Sequence, residues 1–201
     1  LAHEAIAEFA SDGRPRFVIG SIGPGTKLPS LDHIQYDELE ASFVPQVQGL
    51  IEGKSDALLI ETCQDPLQIK AAVNAARIAM RDANVELPIM TQVTVETTGT
   101  MLVGTDIAAA TTILAAMDVE IMGLNCATGP QEMAEHIKHL SNHWPGLISV
   151  LPNAGLPEMH EGKVHFPLGP DEMAQWVERF VTEDGVNIIG GCCGTGEAHI
   201  S

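Results

Sequence analysis

Two segments of the chain decide the fold: EIMGLNCATGP at residues 120–130 and VNIIGGCCGTG at residues 186–196. Each begins with a short apolar run that shows little polar alternation, as expected of a parallel strand covered on both faces. Each then passes through glycine and cysteine into a stretch where a helix can begin. Because the carboxyl ends of parallel strands open on one rim of a sheet, the pattern predicts that cysteines from both segments share a rim.

The same alternation extends along the whole chain. Helical stripes, such as Leu39, Phe43 and Val47, separate the apolar runs. The runs start 27 to 39 residues apart, which predicts a serial βα array with right-handed crossovers. Two architectures satisfy this pattern, a six-stranded doubly wound sheet and an incomplete eight-fold barrel. The predicted strands are residues 17–23, 56–62, 88–95, 120–126, 147–151 and 186–191.

Prolines mark the beginnings of three predicted helices. Pro66, Pro130 and Pro170 each follow an aspartate or a glycine, and a proline at the first helical position loses no intrahelical hydrogen bond. Asp65 or Thr128 can supply the side-chain oxygen of an N-cap. The sequence therefore predicts helices that begin at these three prolines, in the segments that follow the second, fourth and fifth runs.

The composition excludes several classes of protein. The 27 acidic and 10 basic residues among 201 give a formal net charge of -17, which disfavours binding to nucleic acid or to an anionic membrane surface. Aromatic residues make up 4% of the chain, so few side chains can stack on bases. The longest apolar stretch, residues 107–117, is too short to span a bilayer. We therefore expect neither a nucleic-acid nor a membrane partner.

The first residues predict the end of an amphipathic helix rather than a signal peptide. Leu1, Ala5 and Ile6 recur at helical spacing among charged residues, and no basic start precedes an apolar core. We therefore expect a fragment of a longer protein. Four cysteines without a recognisable export signal predict reduced thiols and a cytoplasmic location.

Three of the four cysteines, Cys126, Cys192 and Cys193, stand where predicted strands end. Soft thiolates favour zinc, so one interpretation is a tetrahedral ion with three sulfur ligands. Neighbouring residues in a strand point to opposite faces, so Cys192 and Cys193 can share an ion only where the backbone has left the strand. Two alternatives stay open: the cysteines are small buried apolar residues, or Cys63 joins them and closes a structural four-thiolate site.

Polar residues at other strand ends are weaker candidates. Glu61 can bind a substrate ammonium, although a solvated loop carboxylate is the commoner case. Asn153, in the segment LPNAG, can offer an amide, although such segments are commonly turns. His136, His139 and His143 lie at helical spacing and could form a second metal site on one predicted helix. This site is less favoured, since no carboxylate joins the three histidines in register.

Five segments, taken in order, resemble the homocysteine S-methyltransferase family, specifically the homocysteine-binding zinc domain of its cobalamin-dependent branch. The pair GLNCATGP and GGCCGT is the most specific part of the resemblance, while the TKLPSL stretch and the GLIEG helix favour the cobalamin-dependent branch. The resemblance covers essentially the whole chain from Phe17 onward. The segments are FVIGSIGPGTKLPSL, GLIEGKSDALLIET, GLNCATGP, LPNAG and GGCCGT.

The resemblance implies an α/β fold, the (β/α)8 TIM barrel, with the six predicted strands corresponding to the third to eighth strands of the family. Residues 1–201 would then form one partial barrel domain that lacks the first two βα units. Some substrate contacts that the family draws from its first strands would be absent with them.

Carried over position by position, the resemblance implies roles for six residues. Cys126, Cys192 and Cys193 match the three zinc ligands of the family. Glu61 matches the acid that receives the homocysteine amino group, and Asn153 matches an asparagine beside the metal that can take its fourth position when substrate is away. Asn125, which precedes Cys126, is expected to support the substrate or the metal. Cys63 matches no ligand of the family.

The implied activity is the S-methylation of L-homocysteine to methionine. Zinc would activate the homocysteine thiol, and methylcobalamin would donate a methyl group that comes ultimately from methyltetrahydrofolate. The cobalamin- and folate-binding sites would lie on other domains of the same full-length chain. Two alternatives remain: betaine or S-methylmethionine is the methyl donor, or the chain is a non-catalytic structural zinc-binding module.

Overall fold

The six short apolar runs pair side by side in one parallel sheet. The computed structural model describes residues 1–160 and 162–201, and the strand order in the main sheet is β1-β2-β3-β4-β5-β8. A doubly wound sheet reverses its order at a switch point, whereas this curled sheet follows the chain from edge to edge, as a (β/α)8 barrel does. Its strands are β1 (Ile19–Ile22), β2 (Ala57–Cys63), β3 (Ile89–Val93), β4 (Ile121–Asn125), β5 (Leu147–Leu151) and β8 (Ile188–Ile189).

Helices connect successive strands and begin where the prolines predict. Pro66, Pro130 and Pro170 are the first residues of α3, α5 and α6. The cap of α3 is Asp65, as predicted, whereas the cap of α5 is Gly129 and not Thr128. The helices are α1 (Ala2–Glu8), α2 (Tyr36–Glu52), α3 (Pro66–Ala83), α4 (Ile107–Ala115), α5 (Pro130–His143), α6 (Pro170–Thr182) and α7 (Glu197–Ile200), with 3-10 turns at Ala10–Asp12 and Pro29–Leu31.

The two faces of the sheet carry different side chains. On β2, Leu58 and Ile60 belong to the large core that all the long helices share, while Leu59 faces the other way. On that inner face Leu59 packs with Met90 and Ile121 in a small cluster to which no helix contributes. Helices therefore cover only the outer face, and the concave face is left to the strands themselves, as in a barrel.

The sheet differs from the sequence prediction in detail. The predicted strands are all present, but most are shorter at their ends, and the last has two residues instead of six. A short antiparallel hairpin was not predicted; it consists of β6 (Glu158–His160) and β7 (Lys163–His165). Its side chains are exposed, so no buried apolar face marks it in the sequence. No helix in the described part of the chain is both long and apolar enough to cross a membrane.

Candidate metal centre

Three cysteine sulfurs from two distant segments meet at the carboxyl rim of the sheet. The Cys126 and Cys193 sulfurs are 3.8 Å apart, and those of Cys192 and Cys193 are 4.0 Å apart. All three sulfurs lie within 4.8 Å of one another. The structure thus brings the three thiols together. Their positions at the ends of predicted strands indicated that they would share one rim.

The backbone turns sharply after β4, and this turn aims the first cysteine. Strand β4 ends at Asn125, and the next two residues, Cys126 and Ala127, have left-handed φ angles of 62° and 58°. The Thr128 N–H donates to the Cys126 carbonyl at 2.7 Å, which closes the turn. Left-handed non-glycine residues are uncommon and concentrate at functional sites, so the cysteine occupies a position that the fold must hold in place.

Cys192 and Cys193 lie beyond the end of β8, where the backbone has left the strand. Two adjacent cysteines can bind one ion only in such a position, because neighbouring residues within a strand point to opposite faces. The Thr195 hydroxyl donates to the Cys192 carbonyl at 2.7 Å and tightens the turn that follows. Gly194 adopts a φ of 78°, and a Cβ built on it would lie 2.3 Å from the Phe166 ring. Only glycine fits this turn, because a larger residue meets both the left-handed backbone and the aromatic ring.

Two of the three sulfur–sulfur distances fit a tetrahedral zinc ion, and the third is no longer than 4.8 Å. With zinc–sulfur bonds of about 2.3 Å, tetrahedral ligands stand about 3.8 Å apart. The sulfur–sulfur distances of 3.8 and 4.0 Å match this value closely. Three thiolates in mutual contact also repel one another, so their joint ionisation calls for a cation between them. Three protein ligands leave the fourth tetrahedral position for another group.

The three thiols differ in how readily they ionise. Hydrogen bonding from Cys192 lowers the pKa of Cys126 to about 5, against the opposing effect of burial. The pKa of Cys192 is raised, first because its proton is engaged by Cys126 and also because of burial. Burial and the nearby Cys126 charge raise the pKa of Cys193 as well. Cys126 is therefore the thiol that becomes a thiolate first.

Cys63 takes no part in this cluster. Its side chain is buried, its sulfur lies 3.7 Å from the Glu61 carbonyl, and it is not a member of the group of mutually close ligand atoms. Burial raises the pKa of the Cys63 thiol well above its ordinary value. Cys63 behaves as a buried apolar residue, which argues against a closed four-thiolate site.

Glu61 stands near the end of β2, where the strand becomes irregular. The Ser21 hydroxyl donates to its carboxylate from the neighbouring strand β1. The pairing of β2 with β3 shifts register between Ile60 and Cys63, and within the shift Thr62 has a φ of 59°. A β-branched residue in this conformation costs about 1–3 kcal/mol and persists only where its surroundings hold it.

Two buried asparagines lie against the cysteines. The Asn153 carboxamide oxygen accepts from the Cys193 N–H at 3.0 Å, and a hydrogen bond from this side chain helps lower the pKa of Cys126. Asn125 is fully buried, and its amide nitrogen lies 3.9 Å from the Cys192 sulfur. Both predicted asparagines therefore contact residues of the cysteine cluster. Their roles in binding substrate or metal stay predictions.

The histidines of α5 do not join a metal cluster. The rings of His139 and His143 stack at 4.1 Å, and burial lowers the pKa of His136. Among residues 1–160 and 162–201, the cysteine trio is the single group of three or more metal-binding side chains with mutually close ligand atoms.

Sequence reasoning missed two polar residues beside Glu61, namely Ser21 and Thr62. Ser21 interrupts the otherwise apolar run FVIGSIG, and a polar side chain inside such a run was the available signal. Thr62 carried no signal, because threonine is common in strands and its left-handed φ appears only in the structure.

The family model described as homocysteine S-methyltransferase matches residues 1–201. Methionine synthase of Mycobacterium tuberculosis (strain ATCC 25618 / H37Rv) is 48% identical over 200 residues, which is 100% of this chain and 17% of that protein. Methionine synthase of Mycobacterium leprae (strain TN) is 46% identical over the same share of each chain. The chain therefore spans about one sixth of the length of these relatives.

A solved structure supports the fold. The apo form of the homocysteine methyltransferase MmuM from Escherichia coli superposes with a TM-score of 0.73 at 23% identity, covering 98% of this chain and 66% of that one. The metallated form superposes with the same TM-score at 22% identity, covering 98% of this chain and 64% of the other. The six-stranded curled sheet thus corresponds to about two thirds of a known fold, and with the family model matched from end to end, the chain belongs to the homocysteine S-methyltransferase family.

Proposed function

We propose that this chain is a partial barrel domain that binds zinc and L-homocysteine and presents the homocysteine thiol for methylation to methionine. The observation that carries the proposal is the trio of sulfurs from Cys126, Cys192 and Cys193, which lie within 4.8 Å of one another, with two pairs at the spacing of tetrahedral zinc ligands. Membership of the family supports homocysteine as the methyl acceptor. Residues 1–201 act in this proposal as one domain.

The three cysteines would hold the ion, and their own environment favours this. Cys126 has the lowered pKa and ionises first, while the turns after β4 and β8 bring the other two sulfurs to it. A free thiol with a pKa near 8.5 is only a few per cent thiolate at neutral pH. Bound zinc would lower the pKa of the homocysteine thiol and hold its sulfur in the fourth position. No side chain is then required to act as a general base.

Glu61 would bind the amino group of the substrate. Its carboxylate is half-buried on the same rim and is oriented by the Ser21 hydroxyl. A partly buried carboxylate is most stable beside a cation, and the substrate ammonium supplies one. Asn153 would lie beside the metal and supply the fourth ligand when homocysteine is absent. Asn125 would support the site without contacting the substrate.

The methyl donor in this proposal is methylcobalamin, bound by another domain of a longer chain and reloaded from methyltetrahydrofolate. The relatives named methionine synthase are about six times longer than this chain, which leaves ample length for such domains. The TKLPSL and GLIEG segments favour the same donor. Betaine and S-methylmethionine are the competing donors.

The first experiment measures zinc content and homocysteine binding after Cys126→Ser. Removing one thiolate is expected to lower zinc affinity on the order of a hundredfold, since each ligand carries a share of the binding free energy of the ion. Homocysteine binding, followed by calorimetry, should be lost together with the metal. Retained zinc with unchanged homocysteine binding contradicts the proposal.

Cys63→Ala is the matched control, because it removes the fourth thiol of the chain without touching the cluster. Zinc and homocysteine binding should both stay at the level of the unmodified protein. Zinc X-ray absorption adds a second readout: an open three-sulfur site gains a sulfur when homocysteine is added, whereas a closed four-sulfur site does not change.

A second experiment addresses the donor. The rate of methionine formation is compared with methylcobalamin, betaine and S-methylmethionine as the methyl source, using zinc-loaded protein. We expect turnover with methylcobalamin alone. Turnover with betaine or S-methylmethionine would contradict methylcobalamin as the donor and would place the chain in a different branch of the family.

A further inference from the structure

The rim holds one backbone distortion that the proposed binding roles leave unexplained. Thr62 has a φ of 59°, and it follows Glu61 directly inside the register shift of β2. A regular strand would continue past this point with its ordinary pairing to β3. The distortion therefore decides where the Glu61 carboxylate stands relative to the rest of the rim.

Asn125 holds Thr62 in this conformation with two hydrogen bonds. Its side-chain oxygen accepts from the Thr62 N–H at 2.9 Å, and its side-chain nitrogen donates to the Thr62 hydroxyl at 2.8 Å. The asparagine is itself anchored, since the Thr94 hydroxyl donates to its backbone carbonyl at 3.1 Å and its side chain is fully buried. Two contacts from one rigid amide fix both the position and the rotation of Thr62.

The same amide also reaches the cysteine cluster. Its nitrogen lies 3.9 Å from the Cys192 sulfur, and the next residue along the chain is Cys126. An amide NH2 group has two hydrogens, and here one is directed to the Thr62 hydroxyl and the other to sulfur. No donor of the Asn125 side chain is left to bind a substrate.

We propose that Asn125 is a positioning residue that fixes the separation between the Glu61 carboxylate and the cysteine cluster, and thereby selects the chain length of the amino-acid thiol that the site accepts. The inference rests on the proposed function, in which Glu61 binds the ammonium and the cysteines hold the ion that receives the thiol. An amino-acid thiol must span these two points, and L-homocysteine and L-cysteine differ in length by one methylene. A fixed separation favours one of them.

The test compares the dissociation constants of L-homocysteine and L-cysteine for the zinc-loaded full chain and for its Asn125→Ala variant, by calorimetry. One methylene is worth roughly 10- to 200-fold in a fitted site, so the unmodified protein should prefer homocysteine by a factor in this range. In Asn125→Ala the Thr62 clamp is gone, and we expect the preference to fall by at least about fivefold, mainly through weaker homocysteine binding. Zinc stoichiometry should stay at one.

Two further variants keep the test decisive. Thr62→Val preserves the shape and the N–H but removes the hydroxyl, so it should lower the preference by a smaller factor and serves if Asn125→Ala does not fold. Gln92→Leu is the matched control: Gln92 is a fully buried amide on the inner face that donates to the Ser149 hydroxyl, and it should leave the preference unchanged.

The outcomes separate the inference from the proposed function. An unmodified protein that binds zinc but not homocysteine overturns the proposed function. If the unmodified protein discriminates and both Asn125→Ala and Thr62→Val keep the same ratio while losing thermal stability, Asn125 is a structural residue and the inference fails. Equal loss of the ratio in Gln92→Leu would likewise overturn it, because any buried amide would then produce the effect.

Discussion

The helix-covered face of the sheet and its carboxyl rim differ in burial and in backbone conformation. Under the helices, residues such as Leu58, Ile60 and Met122 are almost fully buried in one continuous apolar core. At the rim, the thiol cluster is half-buried to exposed, and Thr62 and Cys126 have left-handed backbones. The core follows the ordinary rules of strand and helix packing, whereas the rim departs from them at several neighbouring positions.

The rim depends on the core for its geometry. Strained backbones and clustered thiols each cost free energy, and they persist because the packed layer beneath holds the strand ends in place. Substitutions should therefore separate into two kinds. Core variants should change stability without altering the arrangement of sulfurs in molecules that remain folded, and rim variants should change binding with smaller effects on stability.

The sharpest test of this separation is Leu58→Ala. Leu58 is fully buried on β2 beneath the helices, so its truncation should lower the free energy of unfolding by about 2–5 kcal/mol. Urea denaturation measures the loss, and zinc binding well below the transition should not change. Leu102→Ala is the control, since Leu102 is 56% exposed and its loss should be small. A Leu58→Ala protein that is stable but binds zinc poorly would contradict this separation of roles between core and rim.

Gly123→Ala should have the next largest effect. Gly123 lies on central strand β4, and a Cβ there would stand 1.9 Å from the Ser149 carbonyl oxygen on β5. Backbone must move to relieve this contact, so we expect a loss of about 3 kcal/mol, at the upper end for overpacking. The measurement is again urea denaturation. Gly49→Ala, on the outside of α2 with open space around it, should be neutral or slightly stabilising and is the matched control.

The sequence predicted the core more completely than the rim, for a physical reason. Burial on both faces leaves a direct record in apolar runs such as 121–124, and proline at a helix start leaves another at Pro66. Serial βα units also predicted one parallel sheet, but they left its strand order open between two architectures. The choice between a doubly wound sheet and a barrel required the observed order.

At the rim, residue types were predictable but contacts were not. The convergence of Cys126 with Cys192 and Cys193 followed from the rule that parallel strands end on one side. The Asn125 clamp on Thr62 depends on side-chain directions and on a left-handed φ, which residue spacing does not encode. Hydrogen bonds between residues 63 positions apart become visible only when the fold is known.

Two aspartate caps allow a finer comparison. Asp65 caps α3 by accepting from the Leu67 N–H at 2.8 Å, and it also accepts from both the N–H and the hydroxyl of Ser30 in the loop after β1. Asp106 caps α4 through one contact, from the Ala109 N–H at 2.8 Å. The first cap therefore serves a rim loop as well as its own helix.

We expect Asp65→Ala to cost about 2 kcal/mol, since it removes a cap and leaves both the N–H and the hydroxyl of Ser30 without their acceptor, and Asp106→Ala to cost about 1 kcal/mol. Paired thermal melts of the two variants measure the difference. Equal losses would mean that the additional bonds to Ser30 contribute nothing, and that this rim loop is held by other contacts.

The smallest expected effect concerns Tyr36, the single tyrosine of the chain, which is the first residue of α2 and packs against the main apolar core. Burial, together with the hydrogen bond to the Glu40 carboxylate, raises the pKa of Tyr36 to about 12. In the unfolded chain the phenol ionises near pH 10. Because the unfolded state loses this proton first, the stabilisation from the Tyr36 hydroxyl is complete below about pH 10 and is lost as the pH rises from about 10 toward 12.

Tyr36→Phe should therefore lower the free energy of unfolding by about 1 kcal/mol at neutral pH, because Tyr36, Glu40 and Asn74 share one hydrogen-bond network. The difference between the two proteins should shrink above about pH 10. Tyrosinate absorbance of the folded protein reports the ionisation directly, since no second tyrosine contributes. An ionisation midpoint near pH 10 in the folded state would contradict this prediction. Zinc binding should be the same in both proteins, because this network lies between α2 and α3 and shares no residue with the rim.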